Sequence, residues 1–275
     1  MNKVVTSVTN PGVKRVVKLR SARARREEGL FIIEGFREVR RALEGDIAIN
    51  ELWVCPELWL GSHEDEIVEG AEARGAEVIE ASREPFEKMA YRDRPEGLLA
   101  VANFFDTTIT TIRPSDDALI LVVESIEKPG NLGTMIRAAG AAGAEAVVVC
   151  DPATDVFNPN VVRSSIGICF LVPIGVGTTD EALSWLRKHE VKVVASTPDA
   201  TTPIWDAPLR DKVALVVGSE QYGLSDAWLE AADHKVQIPM PGEIVDSLNA
   251  SASAAILLFE AVRQRSGSPD SAPRR

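Results

Sequence analysis

VVESIEKPGNLGTMIRAAGAAG (residues 122–143) begins as an apolar run and breaks at Pro129-Gly130-Asn131-Leu132-Gly133. It resumes as an alanine-rich segment whose one charged side chain is Arg137. The run reads as a buried strand. The alanine-rich part reads as a helix with Leu132, Met135, Ile136 and Ala139 in one stripe, and at about 100° per residue Arg137 falls nearly opposite it. Gly130 and Gly133 permit a tight turn and close approach of a ligand, and Asn131 is placed to cap free amides or hold a polar group. In an open α/β sheet, ligands sit beyond the carboxyl ends of the strands, so a break at such an end is a place to look for a site.

The same alternation continues toward the carboxyl end. ALILVVESI, EAVVVC, FLVPIGV, VKVVAST, KVALVVGSE and HKVQIPM read as strands, separated by helices at PNVVRSSIG, TDEALSWLRKHE, LSDAWLEAA and SLNASASAAILLFEAVRQR. Several strands are continuous apolar runs, which predicts burial on both faces and a parallel sheet between helices. Residues 1–105 form a smaller α/β domain: strands at LFIIE, INELWVCPEL, AEVIEAS and EGLLAVANFF alternate with helices at GFREVRRALEG, HEDEIVEGAEARG and REPFEKMA. DTTITTIRPSDD (106–117) is polar, contains Pro114 and lacks a helical period, so it reads as the linker to a domain spanning 118–265. The tail 266–275, SGSPDSAPRR, has nothing to bury and is expected to be disordered.

Composition narrows the function. The 275 residues exceed the roughly 100–200 of one typical domain. No apolar run approaches the ~18 residues of a membrane span, and the amino terminus lacks a signal-peptide stretch, so a cytoplasmic protein is expected. Cys55, Cys150 and Cys169, like His63, His189 and His234, are scattered without ligand spacing, so no metal is expected. A net charge of -11 argues against a general nucleic-acid coat. Residues 1–30 nevertheless carry eight basic side chains (Lys3, Lys14, Arg15, Lys18, Arg20, Arg23, Arg25, Arg26) against Glu27 and Glu28, a local +6. Such an arm is either a phosphate contact or a solvated basic helix.

Two further strand ends resemble the first. VALVVGSEQYGLSDAW runs from five apolar residues into Gly218, then Glu220, with Ser225 expected to cap the next helix. VQIPMPGEIVDSLNASASAAILLFEAV ends a strand at Ile238-Pro239-Met240, and places Ser247, Leu248 and Asn249 before the last helix. Each junction alone also has a structural reading: a surface arginine, a loop carboxylate, an ordinary helix cap. No GxGxxG or GxxxxGK[ST] pattern occurs, which weighs against a Rossmann dinucleotide site or a P-loop.

Together and in this order, KPGNLGTMIR, LVVGSEQYG and IPMPGEIVDSLNAS resemble the three motifs of the SpoU (TrmH-like) branch of the SPOUT methyltransferases. GLFIIEGFREVRRAL and RPEGLLAV resemble the L30e-like RNA-binding domain often fused to them. The resemblance implies a carboxy-terminal trefoil-knotted parallel-sheet domain and a homodimer. It implies transfer of a methyl group from S-adenosylmethionine to a ribose 2'-hydroxyl of RNA, and the two-domain layout points to 23S ribosomal RNA. The alternatives are methylation of transfer RNA and RNA binding without catalysis. Gly218, Ile238 and Leu248, with Met240 nearby, are then the adenosyl contacts. Arg137, Asn131, Glu220, Ser247 and Asn249 are the catalytic set. Since a guanidinium stays protonated, Arg137 is expected to clamp phosphate and stabilise the nascent alkoxide, with Asn131 orienting the hydroxyl. Glu220, Ser247 and Asn249 hold the loops and the nucleotide in place. The sequence departs from the family at Lys128, where asparagine is usual, and in a longer loop carrying Glu243 and Asp246.

Overall fold

The computed structural model describes residues 4–242 and 247–266. Glu243, Asp246 and the tail beyond Ser266 lie outside them. The chain divides into two compact units, one of residues 1–106 with 155–171, the other of 107–154 with 172–275.

The first unit contains α1 (Pro11–Lys18), α2 (Ala22–Glu28), β1 (Leu30–Glu34), α3 (Phe36–Glu44), β2 (Ile49–Val54), α4 (Glu64–Ala73), β3 (Glu77–Glu80), α5 (Arg83–Met89) and β4 (Leu98–Asn103). Its sheet runs β1-β4-β2-β3 and is mixed: β4 is antiparallel to β1 and β2, whereas β3 is parallel to β2. Val13 and Val16 of α1 and Phe86 and Met89 of α5 pack with Ile32, Trp53, Leu99 and Val101. Phe104 and Phe105, read as the end of a strand, instead leave β4 and join Phe31, Phe157 and Phe170 in an aromatic cluster. Phe104 and Phe157 stack at 3.8 Å between centroids. That cluster, with an Arg25–Asp155 ion pair, is why residues 155–171 belong to this unit.

Much of the basic arm is structural. Arg25 is 1% exposed and donates to the carbonyls of Leu19 (3.0 Å) and Arg20 (2.8 Å) besides pairing with Asp155. Arg20 donates to the carbonyls of Lys88 and Met89, and Arg15 pairs with Glu51. Lys14, Lys18 and Arg26 remain exposed.

The second unit contains β5 (Leu119–Glu124), α6 (Pro129–Ala141) and β6 (Ala146–Cys150). After α7 (Pro159–Ser164), which lies in the first unit, it continues with β7 (Ile174–Gly177), α8 (Thr179–Lys188), β8 (Lys192–Ser196), β9 (Thr202–Pro203), β10 (Val213–Val217), α9 (Asp226–Ala231), β11 (His234–Gln237) and α10 (Ala250–Ser266). The seven strands run β7-β6-β5-β10-β8-β11-β9, and every pairing is parallel. Continuous burial of β5, β6 and β10 matches their unbroken apolar runs. FLVPIGV yields a strand only from Ile174, because Phe170 closes a 3-10 turn in the first unit. The 106–117 stretch is packed: Ile109 is buried in the core of the second unit, and Val176 donates to the Thr107 carbonyl at 2.7 Å.

Candidate active site

Strand order brings distant turns to one edge. β5 pairs with β10 in the register Val123 to Val217, β10 with β8, and β8 with β11. The chain order reverses between β5 and β10, the switch point where open sheets bind ligands. The turns after β5, β10, β8 and β11 therefore emerge side by side.

Glu220, in the turn after β10, joins three of them. Its Oε2 pairs with the Lys128 ammonium at the start of α6, and its Oε1 accepts from Asn131 Nδ2 at 2.9 Å and Asn249 Nδ2 at 2.6 Å. Asn249 Nδ2 also reaches Asn131 Oδ1 at 3.3 Å. The Lys128 hydrogen bond is the main cause that holds the Glu220 carboxyl below its ordinary value, and Glu220 in turn pushes Lys128 up. A carboxylate with its lone pairs so occupied is a poor proton acceptor, which assigns Glu220 to positioning.

Asn249 both caps a helix and binds Glu220. Its Oδ1 accepts from Ser251 N (3.0 Å) and Ala252 N (3.3 Å), capping α10, while its amide nitrogen binds Glu220. Ser225 precedes α9 as expected, but its hydroxyl caps nothing. It donates instead to Glu124 Oε1 at 2.7 Å, and Ser225 N donates to Glu124 Oε2 at 2.8 Å. Glu124 is buried at the end of β5 and also accepts from Thr179 Oγ1 at 3.1 Å, so it anchors the far end of the Glu220 loop.

Beside this cluster lies a cavity of about 470 Å³ lined by Gly218, Glu220, Ile238, Met240, Ser247 and Leu248. All four expected adenosyl contacts thus face one space. A Cβ on Gly218 would fall 2.1 Å from the Gly223 carbonyl oxygen, so the close approach of the Ser219–Gly223 turn requires glycine there. Ser196, Thr197 and Asp199, after β8, also line the cavity, as does Tyr222. These were missed in the sequence, although VKVVAST is a strand with polar residues at its carboxyl end. Among the described residues no lysine or arginine lines the cavity, whereas the carboxylates of Asp199 and Glu220 do.

Arg137 stands on the exposed side of α6, opposite buried Leu132, Met135, Ile136 and Ala139, as the periodicity predicts. Among the described residues nothing hydrogen-bonds or ion-pairs with it, and it does not line the cavity. A larger cavity of about 590 Å³ lies in the first unit, lined by Phe36, Arg37, Leu60, Arg92 and Arg163 among others, and contains no residue of the three SpoU-like motifs. Among the described residues no cluster of three or more His, Cys, Asp or Glu could hold a metal ion, and no helix is long and apolar enough to cross a membrane.

A family model described as the SpoU rRNA Methylase family matches residues 118–259, and one described as an MRM3-like substrate binding domain matches residues 10–100. The 23S rRNA (guanosine(2553)-2'-O)-methyltransferase RlmP of Bacillus subtilis is 30% identical over 257 residues, 94% of this chain and 98% of that protein. The crystal structure of an RNA 2'-O ribose methyltransferase is 42% identical with a TM-score of 0.83, over 96% of this chain and 99% of that one. An AdoMet-bound rRNA methyltransferase from Sinorhizobium meliloti is 31% identical with a TM-score of 0.87, over 95% of this chain and 98% of that one. The likeness bears out an α/β chain with a parallel-sheet SPOUT domain and a smaller amino-terminal domain whose sheet is mixed. With its three motifs gathered at one sheet edge, the chain belongs to the SpoU rRNA methylase family.

Proposed function

We propose that the chain transfers a methyl group from S-adenosylmethionine to a ribose 2'-hydroxyl of 23S ribosomal RNA. The observation that carries this is the convergence of Asn131, Glu220 and Asn249 beside a cavity lined by Gly218, Ile238, Met240 and Leu248. The cavity suits the cofactor: its volume is that of a small-molecule site, and the Asp199 carboxylate, with no lysine or arginine lining the cavity among the described residues, complements a ligand of net positive charge. The bare backbone of Gly218 and the apolar Ile238, Met240 and Leu248 would hold the adenosyl group, with Asp199 and Ser247 at its polar margin.

When bound, S-adenosylmethionine supplies an activated methyl on a sulfonium, so the protein's part is alignment and charge. Orientation alone lowers such a barrier by about 7–11 kcal/mol. Asn131 Oδ1 keeps a lone pair to orient the ribose hydroxyl, and Asn249 and Glu220 fix that carboxamide. Arg137, without a partner of its own among the described residues, clamps the neighbouring phosphate and stabilises the developing alkoxide. Ser247 lines the cavity.

The RNA reading agrees with the substrate-binding family model on residues 10–100 and with the exposed Lys14, Lys18 and Arg26 of the amino-terminal arm. Three further parts belong to the same reading: the parallel-sheet domain is a trefoil knot, the protein is cytoplasmic, and it is a homodimer. Within α10, Ala250, Ala254, Leu257 and Leu258 are buried inside the protomer, but Ile256 (41%) and Phe259 (49%) are exposed and are the apolar groups a partner would cover.

The test is methylation of ribosomal RNA from cells lacking the gene. The purified protein should restore one 2'-O-methyl, and Arg137→Ala should abolish transfer while S-adenosylmethionine binds within about twofold. Turnover by Arg137→Ala within a few-fold of the parent would refute the assignment. A monomer in light scattering at micromolar concentration would remove the dimer.

A further inference from the structure

Lys128 occupies a position where the family pattern has asparagine, and its ammonium pairs with Glu220. An ionised carboxylate only accepts hydrogen bonds, whereas a protonated one also donates. Facing an ionised Glu220, the carboxamides of Asn131 and Asn249 can present only their nitrogens, and both do, at 2.9 and 2.6 Å. That choice sends Asn249 Oδ1 to the amides at the start of α10 and leaves Asn131 Oδ1 turned away from the carboxylate, sharing only the 3.3 Å contact from Asn249. The charge state of one carboxylate therefore sets the orientation of both amides.

The charged groups around Glu220 are few. From α6 come Lys128, with Glu127 beside it, and the uncharged Asn131. From the α10 side come Asn249 and the Ala250 amide. Lys128 is the one cation touching Glu220 among the described residues. An asparagine at this place would add no charge.

We propose that Lys128 is a positioning residue for methyl transfer: by anchoring one oxygen of the Glu220 carboxylate, it holds the other against the Asn131 and Asn249 amide nitrogens and so fixes the Asn131 carboxamide with a lone pair of its oxygen left to orient the ribose hydroxyl. This rests on the proposed reaction. Lys128 itself touches neither substrate nor cofactor and acts through Glu220.

The test is a set of Lys128→Met, Lys128→Arg, Glu220→Gln and the double variant Lys128→Met/Glu220→Gln. Lys128→Met should lower kcat by about tenfold, the order expected when a charge-assisted hydrogen bond to a positioning group is lost. KM for RNA and the Kd for S-adenosylmethionine should move by less than about twofold, a split that general loosening of the loops would not give. The Glu220 carboxyl is held low by Lys128, so removing the cation raises it, and the acid limb of the kcat profile moves to higher pH. Lys128→Arg should restore both. In the Glu220→Gln background, Lys128→Met should add no further loss, as a double-mutant cycle requires of two groups acting as one.

A Lys128→Met enzyme with parental kcat and pH profile would overturn the proposal. So would a loss confined to RNA KM with a shallower salt dependence, which would mark Lys128 as a direct phosphate contact, or a loss undiminished in the Glu220→Gln background. One readout needs no turnover: ¹³C-carboxyl NMR should show Glu220 titrating at higher pH in Lys128→Met, and an unchanged titration sinks the idea. If the parent protein methylates no RNA, the reaction assignment fails, and this titration still decides whether Lys128 governs Glu220.

Discussion

Replacing Gly218 with alanine is the sharpest test of the cofactor cavity. The new Cβ would sit 2.1 Å from the Gly223 oxygen, 2.2 Å from its carbonyl carbon and 2.5 Å from Leu224 N, all backbone atoms that cannot rotate aside. Reaching an ordinary contact of about 3.4 Å makes the turn retreat by more than about 1 Å. The turn is closed by two hydrogen bonds of 3.1 Å, Ser219 N to Gly223 O and Gly223 N to Ser219 O, and neither survives such a shift. At a net 0.5–1.5 kcal/mol each, their loss amounts to about 2 kcal/mol. If S-adenosylmethionine binds only to the closed turn, that is roughly a thirtyfold weaker Kd. Gly218 and Ser219 are buried, so the same 2 kcal/mol taken from the folded state should also lower the melting temperature by about 4–8 °C. Titration calorimetry of Gly218→Ala against the parent, with both proteins shown folded by circular dichroism, decides it. A Kd within about threefold of the parent would refute the claim that this turn shapes the cofactor site.

Asn249→Ala removes a helix cap as well as a ligand of Glu220, so it should cost about 1 kcal/mol of stability, about 3 °C in Tm, together with most of kcat. Scanning calorimetry showing an unchanged Tm would count against the cap. Cys55, Cys150 and Cys169 are all buried, with the Cys169 thiol pushed up to about 12 by desolvation and Cys150 also raised. An aromatic disulfide reagent at pH 8 should therefore find no fast-reacting thiol in the native protein and three in guanidinium; a rapid phase before denaturation would contradict the packing.

The parallel sheet was legible because both-sided burial writes itself as unbroken apolar runs, LILVV, AVVVC and VALVV, each followed by a polar turn. The order of those strands was not. Nothing in residues 213–217 says that they pair with residues 119–123, since parallel pairing is settled by tertiary packing and leaves no mark in local pattern. The three motifs named Asn131, Glu220 and Asn249, which meet at this edge, but not that Gly218 is glycine because the Gly223 backbone passes against it. They did not say whether Lys128 points at RNA or at Glu220, because a lysine is long enough for either. Charge counting likewise left Arg15, Arg20 and Arg25 as either phosphate contacts or a solvated basic face, although each is taken up by a carboxylate or carbonyl groups inside its own unit. Ile109 in the 106–117 stretch was overlooked for a related reason: one apolar residue among polar ones carries no period, yet Gly175 leaves the space it fills.

The segment 155–171 bears on how such genes can be recombined. It completes the amino-terminal unit but is encoded between β6 and β7, strands that are neighbours in the other unit's sheet. A single crossover near codon 106 would part Arg25, a guanidinium 1% exposed, from Asp155, and strip Phe31 and Phe104 of Phe157 and Phe170. A chimera that borrows a new recognition half must therefore import a matching internal cassette as well, or replace Arg25 and those phenylalanines.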